Sequence, residues 1–390
     1  MPEETFGAAL GRLRRSHEPP LSLRALARLV NYSHVYLWQV ETGRSRVTAD
    51  LATRCDAALD AAGELIAIAE RELARRAWED SLSSYDSDLN VGENEVRALR
   101  DARNRYEAFY RNFGGVAARP RILEFLREQA YPMLRGRFDE RISSQLFRAV
   151  GGLVSLAGVC AYDARELDAA HQHYRYALRL AKASEDPEFV AYVVSLLATL
   201  ALRTGDPRGA LAYVDRGLRE PQALSPAILA DLYCLRAEAS AYLRDTACER
   251  HMNDAYQAAE RIELSQEPPE ARYVQPGLLE GRHAEILRIL GRSRSAEMYA
   301  RQSLTSGVYT HPRGIANRLV VMSRVLLANG KLDEAASTAN QILDLAYDME
   351  SRLFRDRVRS LADAMQDQAT RSGAVREFRA RASELLSSRL

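Results

Sequence analysis

The chain has 390 residues, of which 47% are hydrophobic and 27% are charged. This composition is typical of a folded globular protein and excludes an intrinsically disordered chain. The length allows two domains, or one domain followed by a repeat array. The formal net charge is only +1, so any nucleic-acid-binding surface has to be a local basic patch.

The four cysteines form no CxxC pair; they are Cys55, Cys160, Cys234 and Cys248. We interpret them as buried, reduced thiols and expect no metal and no cofactor. No apolar run approaches the ~20 residues that cross a bilayer, and the N-terminal stretch lacks the apolar segment of a signal peptide. We therefore expect a cytoplasmic protein with no membrane partner.

Hydrophobic residues recur at spacings of three and four, and strand signals are weak, so the sequence predicts an all-α fold. The predicted parts are a five-helix domain (residues 1–78), a linker (79–95) and an α-solenoid of helical repeats (96–390). The first five helices are predicted from Glu4 to Arg15, from Ser22, from Ser33 to Gly43, from Thr48, and over a segment that ends near Trp78.

The predicted linker reads "EDSLSSYDSDLNVGENE", which is polar, rich in serine and aspartate, and without an apolar period. Such a composition is typical of a solvated connection between domains. A regulatory phosphorylation site within "SLSSYDS" is the alternative interpretation.

Six later segments share one spacing of small and large residues. Their small anchor residues are Ala170, Ala210, Cys248, Ala296, Ala335 and Ala374, which lie 40, 38, 48, 39 and 39 residues apart. Small residues let two helices approach closely, and such helix pairs stack because none can bury its apolar face alone. The pattern resembles tetratricopeptide repeats, and the prolines of "LSQEPPEARYVQPG" indicate an inserted loop in the long step.

Near the N-terminus, "LSLRALARLVNYSHVYLWQVETGR" joins two short predicted helices. Ser22 and Ser33 stand at their N-caps, and Gly43 stands at the end of the second. Over roughly the first 70 residues the chain resembles the phage-repressor-like helix-turn-helix of the xenobiotic-response-element class of bacterial regulators. Asn31 occupies the turn position where that family usually has glycine, and asparagine tolerates the left-handed backbone that the turn needs.

By this resemblance, the second helix enters the major groove of a double-stranded DNA operator. Gln39 is suited to two hydrogen bonds with adenine, and Val35 to contact with a thymine methyl group. The predicted DNA-binding residues are Ser22, Ser33, His34, Val35, Trp38, Gln39, Arg44 and Arg46. Trp38 has two open interpretations, contact with sugar and base edges or packing on a neighbouring helix.

The charge distribution favours DNA binding at this end of the chain. Seven arginines and two glutamates lie between Arg12 and Arg46, an excess that suits a phosphate backbone. The alternative is a helical adaptor that contacts only protein. An enzyme is not expected, because the chain has no GxSxG, HExxH, GxGxxG or Walker motif. His171 and His173 are two residues apart and do not share a helix face.

The first helix of each repeat is expected to line the concave side of the solenoid. The predicted ligand-binding residues are Tyr162, Tyr192, Ser195, Thr199, Tyr233, Glu285, Arg288, Asn317 and Arg324. Hydroxyls and charges on a concave wall suit a peptide or a small polar ligand. A solvated inner face without a ligand is the alternative.

As a whole, the chain resembles actinobacterial regulators that join a repressor-like helix-turn-helix to a tetratricopeptide array. The resemblance implies a homodimeric transcriptional regulator. Its repeats would mediate dimerisation and sense a peptide, a small molecule or a partner protein. The alternative is a protein–protein interaction scaffold whose helix-turn-helix no longer binds DNA.

Overall fold

The computed structural model describes residues 4–17, 19–61, 63–66, 68–69, 72, 89–306, 311–346, 349–368 and 372–387. Within these ranges the regular elements are helices, and the β contact is an isolated bridge between Asn90 and Arg137. The predicted all-α class, a helix-turn-helix followed by a helical solenoid, is confirmed. Residue contacts divide the chain into two units, Met1–Asp86 and Ser87–Leu390.

The N-terminal unit begins with four helices: α1 (Phe6–Ser16), α2 (Leu23–Val30), α3 (His34–Glu41) and α4 (Ala49–Ala58). Leu26, Leu37 and Leu51, from three of these helices, are fully buried in one core. Residues 64–66, 68–69 and 72 are also helical. The rest of the predicted fifth helix lies outside the described residues.

The sequence placed the starts of α2, α3 and α4 correctly because each start has a side-chain cap. The first helix begins at Phe6 and not at Glu4. The hydroxyls of Ser22, Ser33 and Thr48 accept hydrogen bonds from the backbone N–H three residues on, at 3.1, 3.1 and 3.2 Å. Asn31 ends α2 in the left-handed conformation, with φ 56° and ψ 47°. The turn between α2 and α3 is therefore built as the asparagine predicts.

Helix α1 holds α3 in place through two contacts. Arg14 donates from Nε and Nη2 to the carboxylate of Glu41, at 3.1 and 2.8 Å. Gly7 lies directly against the last turn of α3, where a Cβ would collide with the carbonyl oxygen of Val40 and lie 2.8 Å from that of Glu41. Only glycine permits this close approach of the two backbones.

Gly7→Ala is expected to destabilise the N-terminal unit by about 1–3 kcal/mol, because the clashing atoms are backbone atoms. Gly11→Ala is the matched control one turn further along α1, since its Cβ would meet a side-chain oxygen of Glu41, at 2.7 Å, and no backbone atom of α3. Tryptophan fluorescence in urea reports on this part of the chain, because the two tryptophans are Trp38 and Trp78. Equal urea midpoints of unfolding for the two variants would contradict the close contact of Gly7 with the backbone of α3.

The predicted linker 79–95 extends too far. Leu89 and Val91 pair with Arg137 by hydrogen bonds of 2.8 and 2.9 Å, and a helix begins at Glu93. Val91 is buried, and Glu95 accepts from the backbone N–H of Gly92 at 2.8 Å. Residues 89–95 therefore belong to the second unit, and their polar composition reflects a capped helix start. Residues 79–88 lie outside the described part of the chain.

The second unit begins with a hairpin of Glu93–Phe113 and Gly115–Phe125, followed by a π-helical turn (Leu126–Ala130) and a short helix (Tyr131–Met133). Six helix pairs follow in the described residues. They are Glu140–Asp163 with Leu167–Ala183, Pro187–Arg203 with Pro207–Gly217, Pro226–Tyr242 with Cys248–Ala259, Leu278–Ile289 with Ser293–Thr305, Pro312–Ala328 with Leu332–Ala346, and Arg352–Ala364 with Gly373–Ser387.

The anchor residues lie at the start of each second helix, and five of the six are buried as predicted. The sixth prediction is wrong by one position. Val375 is fully buried with Phe378, whereas Ala374 is half-buried. Ser372 caps this last helix by accepting from the N–H of Val375 at 3.1 Å, which sets its register.

The helix Glu140–Asp163 is long and apolar enough to cross a bilayer by length and composition alone. It has 24 residues and an 18-residue window with a mean hydropathy of 1.3. However, 72% of that window is buried inside the second unit. The helix is apolar because neighbouring helices surround it in the repeat core.

The end of the repeat array is hydrogen-bonded to the beginning of the second unit. The N–H of Glu350 donates to the carbonyl of Phe113 at 2.9 Å, and the N–H of Val116 donates back to the carbonyl of Glu350 at 3.1 Å. Gly114 between them has φ 88°, and a Cβ there would collide with the Glu350 backbone. The last repeat is thereby hydrogen-bonded to the first hairpin.

The inserted loop also contributes to this closed arrangement. Its turn Pro269–Ala271 places Glu270 in the interior with 4% exposure. Arg148, which lies 122 residues earlier, donates from Nη1 and Nη2 to the two carboxylate oxygens at 2.9 and 3.1 Å. Arg103 lies 3.5 Å away. Burial alone would raise the pKa of Glu270, but Arg103 and Arg148 together lower it to about 2.

Candidate nucleic-acid interface and repeat cavity

The predicted recognition helix α3 has one buried side and one exposed side. Leu37 and Val40 are 0% and 3% exposed and hold the helix on its own unit. On the opposite side His34 and Val35 are exposed at the first turn, where a recognition helix contacts base edges. These residues present an imidazole and a small apolar surface next to each other.

Gln39 is less free than its sequence position suggests. Its Oε1 accepts from the hydroxyl of Ser45 at 3.0 Å, and its side chain is half-buried. The backbone carbonyl of Gln39 also accepts from the N–H groups of Arg44 and Ser45. A two-bond contact with adenine needs both ends of the amide, so Ser45 would have to release Oε1 on DNA binding.

Trp38 and Arg44 form a pair at the exposed end of α3. The guanidinium carbon of Arg44 lies 4.7 Å from the ring centroid of Trp38, a cation–π geometry. The ring keeps 41% of its surface exposed. This position is compatible with contact to sugar and base edges, whereas packing on a neighbouring helix would bury the ring.

The other predicted DNA-binding residues lie at the edges of the same surface. Ser22 and Ser33 are exposed, and their hydroxyls are already used as helix caps. A phosphate at either position would therefore be bound by the backbone N–H groups of the helix N-terminus and not by the serine hydroxyl. Arg46 is exposed, and its carbonyl accepts from the hydroxyl of Tyr36 at 2.7 Å.

Two arginines on α2 were not predicted from the sequence. Arg24, Arg28 and His34 line a cavity of about 410 Å³ beside the turn Asn31–Tyr32. Both arginines are exposed and lie four residues apart on one helix face. That spacing, next to a recognisable helix-turn-helix, is the signal that would have identified them. They add positive charge to the side of α2 next to α3.

The inner face of the second unit contains two cavities, of about 460 and 530 Å³. Their walls come from the first helices of the repeats, as expected for a concave face. Six predicted ligand-binding residues line them: Tyr162, Thr199, Glu285, Asn317 and Arg324 line the first, and Arg288 lies in the second. Glu285 and Arg324 belong to both walls.

Three predicted ligand-binding residues do not line these cavities. Tyr192 and Ser195 are buried, with 6% and 2% exposure, and Tyr233 is half-buried elsewhere. The ring of Tyr192 stacks on that of Phe189, with 6.1 Å between the ring centroids. Burial raises the pKa of the Tyr192 hydroxyl; the charge of Arg103 lowers this pKa and that of Glu270 raises it. Tyr192 and Ser195 therefore belong to the buried side of the helix Pro187–Arg203 and not to the concave face.

The cavity walls also contain ionisable residues that were not predicted from the sequence. Arg203 donates to both carboxylate oxygens of Glu238, one of them at 3.2 Å. Arg282 lies 2.8 Å from Asp231. Arg165 lies 2.9 Å from Asp356. Across the described residues, no group of three or more histidine, cysteine, aspartate or glutamate side chains could hold a metal ion.

No curated protein is similar to the chain. Residues 5–68, which include α1 to α4, match a family described as a helix-turn-helix domain.

Proposed function

We propose that the chain is a sequence-specific DNA-binding transcriptional regulator. The observation that carries this proposal is the two-sided recognition helix in a helix-turn-helix domain. Leu37 and Val40 fix the helix, while His34 and Val35 are free to meet base edges. The arginines of α2 and Arg44 supply the charge that phosphate contacts need.

We further propose a cytoplasmic, non-enzymatic homodimer of the actinobacterial type, with tetratricopeptide-like repeats that dimerise and receive a signal. A dimer of such domains reads two half-sites that lie one helical turn or a multiple of it apart. A signal bound in the repeats would then act by changing the separation of the two DNA-binding domains. Support comes from the cavities in the repeat unit and from the order of the two units along the chain.

DNA fragments selected by the full chain from a genomic pool should contain two such half-sites. On these fragments Gln39→Ala is expected to relax base preference by about 1–3 kcal/mol at one position of each half-site. Arg44→Ala should weaken binding to all sequences because one phosphate contact is lost. The salt slope, which is the slope of the logarithm of the binding constant against the logarithm of the salt concentration, should fall in magnitude by about 1. Gel-shift titrations at several salt concentrations measure both effects.

The matched control is Arg208→Ala, which removes one exposed arginine from the second unit. It should leave affinity and salt slope unchanged. If both α3 variants bound as the parent does, α3 would not be the reading helix. If the chain selected no fragment, the protein would instead be an interaction scaffold.

A further inference from the structure

The walls of the two inner cavities carry more positive than negative charge. Among their lining residues, all from the described part of the second unit, are seven arginines and three carboxylates. The arginines are Arg165, Arg203, Arg282, Arg288, Arg318, Arg324 and Arg357, and the acids are Glu238, Glu285 and Asp356. An apolar or neutral ligand would not need such a wall.

The three carboxylates are already engaged. Glu238 is held by Arg203 through both oxygens. Glu285 accepts from Nε and Nη2 of Arg288, both at 2.8 Å. Asp356 pairs with Arg165 at 2.9 Å and with an exposed arginine on its own helix, Arg359, at 2.8 Å. These pairs do not neutralise the remaining guanidinium groups.

Arg318 donates to the backbone carbonyls of Ser303 and Pro276. For two other arginines of the wall, Arg357 and Arg324, the described residues provide no close carboxylate. Within the described residues, the hydrogen bond of Arg357 goes to a neutral acceptor, the side-chain oxygen of Asn317. Arg324 comes no closer than 3.9 Å to Glu285. Burial, with the guanidinium charges of Arg203, Arg313 and Arg324, lowers the pKa of Arg357 to about 10. Arg357 is therefore still charged at neutral pH, in surroundings that disfavour the charge.

A guanidinium without a close counter-ion, in a partly enclosed space, gains most from an anion that binds it directly. We propose that Arg357 and Arg324 bind the carboxylate or phosphate group of a small organic anion in the first cavity. This inference rests on the proposed role of the repeats in receiving a signal. Its volume of about 460 Å³ falls within the range of small-molecule sites. The planar guanidinium groups match the oxygen geometry of both anion types.

The test is calorimetric titration of the full chain with two probes, sodium pyrophosphate and sodium citrate. At least one should bind saturably, and Arg357→Gln should weaken that binding at least tenfold, as expected for a lost charge-assisted contact. Arg352→Gln is the matched control, because it removes an exposed arginine from the same helix. Its affinity for the probe should equal that of the parent.

Thermal unfolding separates a binding role from a structural one. Without probe, Arg357→Gln should unfold at the same or a higher temperature than the parent, since an uncompensated charge is removed. A lower temperature together with unchanged probe affinity would make Arg357 structural and overturn the proposal. The proposal would also be overturned if neither probe bound saturably, or if only an acidic hexapeptide bound. Gel shifts on the same samples show separately whether DNA binding holds or fails.

Discussion

Asp163→Asn is expected to lower the free energy of unfolding of the repeat unit by about 3–5 kcal/mol, because it breaks a buried ion pair and leaves a charge unpaired. Asp163 is fully buried. Its Oδ1 accepts from Nη2 of Arg313 and, at 2.6 Å, from the hydroxyl of Ser351. Its Oδ2 accepts from the N–H of Gly115 at 2.6 Å. All three partners are donors, so the amide group of asparagine would also face a donor.

The position of these partners along the chain explains why the loss should be large. Arg313 and Ser351 lie 150 and 188 residues after Asp163. Arg313 is itself buried, and its guanidinium carbon lies 4.6 Å from the ring centroid of Tyr110. One carboxylate thus connects the first hairpin, the first repeat and the last two repeats. Without it, these parts of the repeat unit lose a fully buried polar contact that joins all of them.

The measurement is urea unfolding followed by far-UV circular dichroism, to which the helices of the repeat unit contribute most. Asp215→Asn is the matched control. Asp215 pairs with Arg236 at 2.7 Å on the surface, where its side chain is 56% exposed, and such pairs contribute about 0–1 kcal/mol. A loss below about 1 kcal/mol for Asp163→Asn would show that the closure rests on apolar packing.

Local signals made much of this fold predictable. The caps at Ser22, Ser33 and Thr48, and the asparagine in the turn, are contacts between residues at most four apart. The recurring small anchors fixed the helix pairs for the same reason, since each pair packs on itself first. The last anchor was misplaced by one residue because Ala374 satisfies the pattern, while the cap at Ser372 sets the register.

Long-range charge pairing could not be read from the sequence. Nothing local distinguishes Glu270 from Glu263, an exposed acid seven residues earlier, and Asp163 ends a helix as many solvated aspartates do. Arg357 was closer to being predictable. It lies 40 residues after Asn317, one repeat further along the predicted inner face, and the two side chains are hydrogen-bonded. Extending the repeat register to the last pair would have identified it.

Glu270→Gln is expected to destabilise the repeat unit by about 3 kcal/mol at neutral pH, since Arg103 and Arg148 lose a buried counter-charge. The loss should be smaller than for Asp163, because each arginine keeps a second acid. Arg103 lies 2.7 Å from Glu107, and Arg148 lies 2.8 Å from Asp186. Urea unfolding followed by circular dichroism measures the difference from the parent.

This difference should depend on pH in a defined direction. In the folded protein the pKa of Glu270 is lowered from 4.5 to about 2. A lowered folded-state pKa means that the stabilisation is complete above pH 4.5 and is lost as the pH falls from 4.5 toward 2. Glutamine cannot ionise, so the stabilities of the parent and the variant should converge over the same interval.

Glu263→Gln provides the control for net charge, because Glu263 is an exposed acid just before the same loop. Its stability should follow that of the parent at every pH. If the gap between the parent and Glu270→Gln stayed constant down to pH 2, the effect would come from altered packing and not from ionisation. Convergence would instead show that an inserted loop, unremarkable in composition, holds two distant helices through one charged group. Loops inserted in repeat arrays then deserve a search for acids that meet distant arginines.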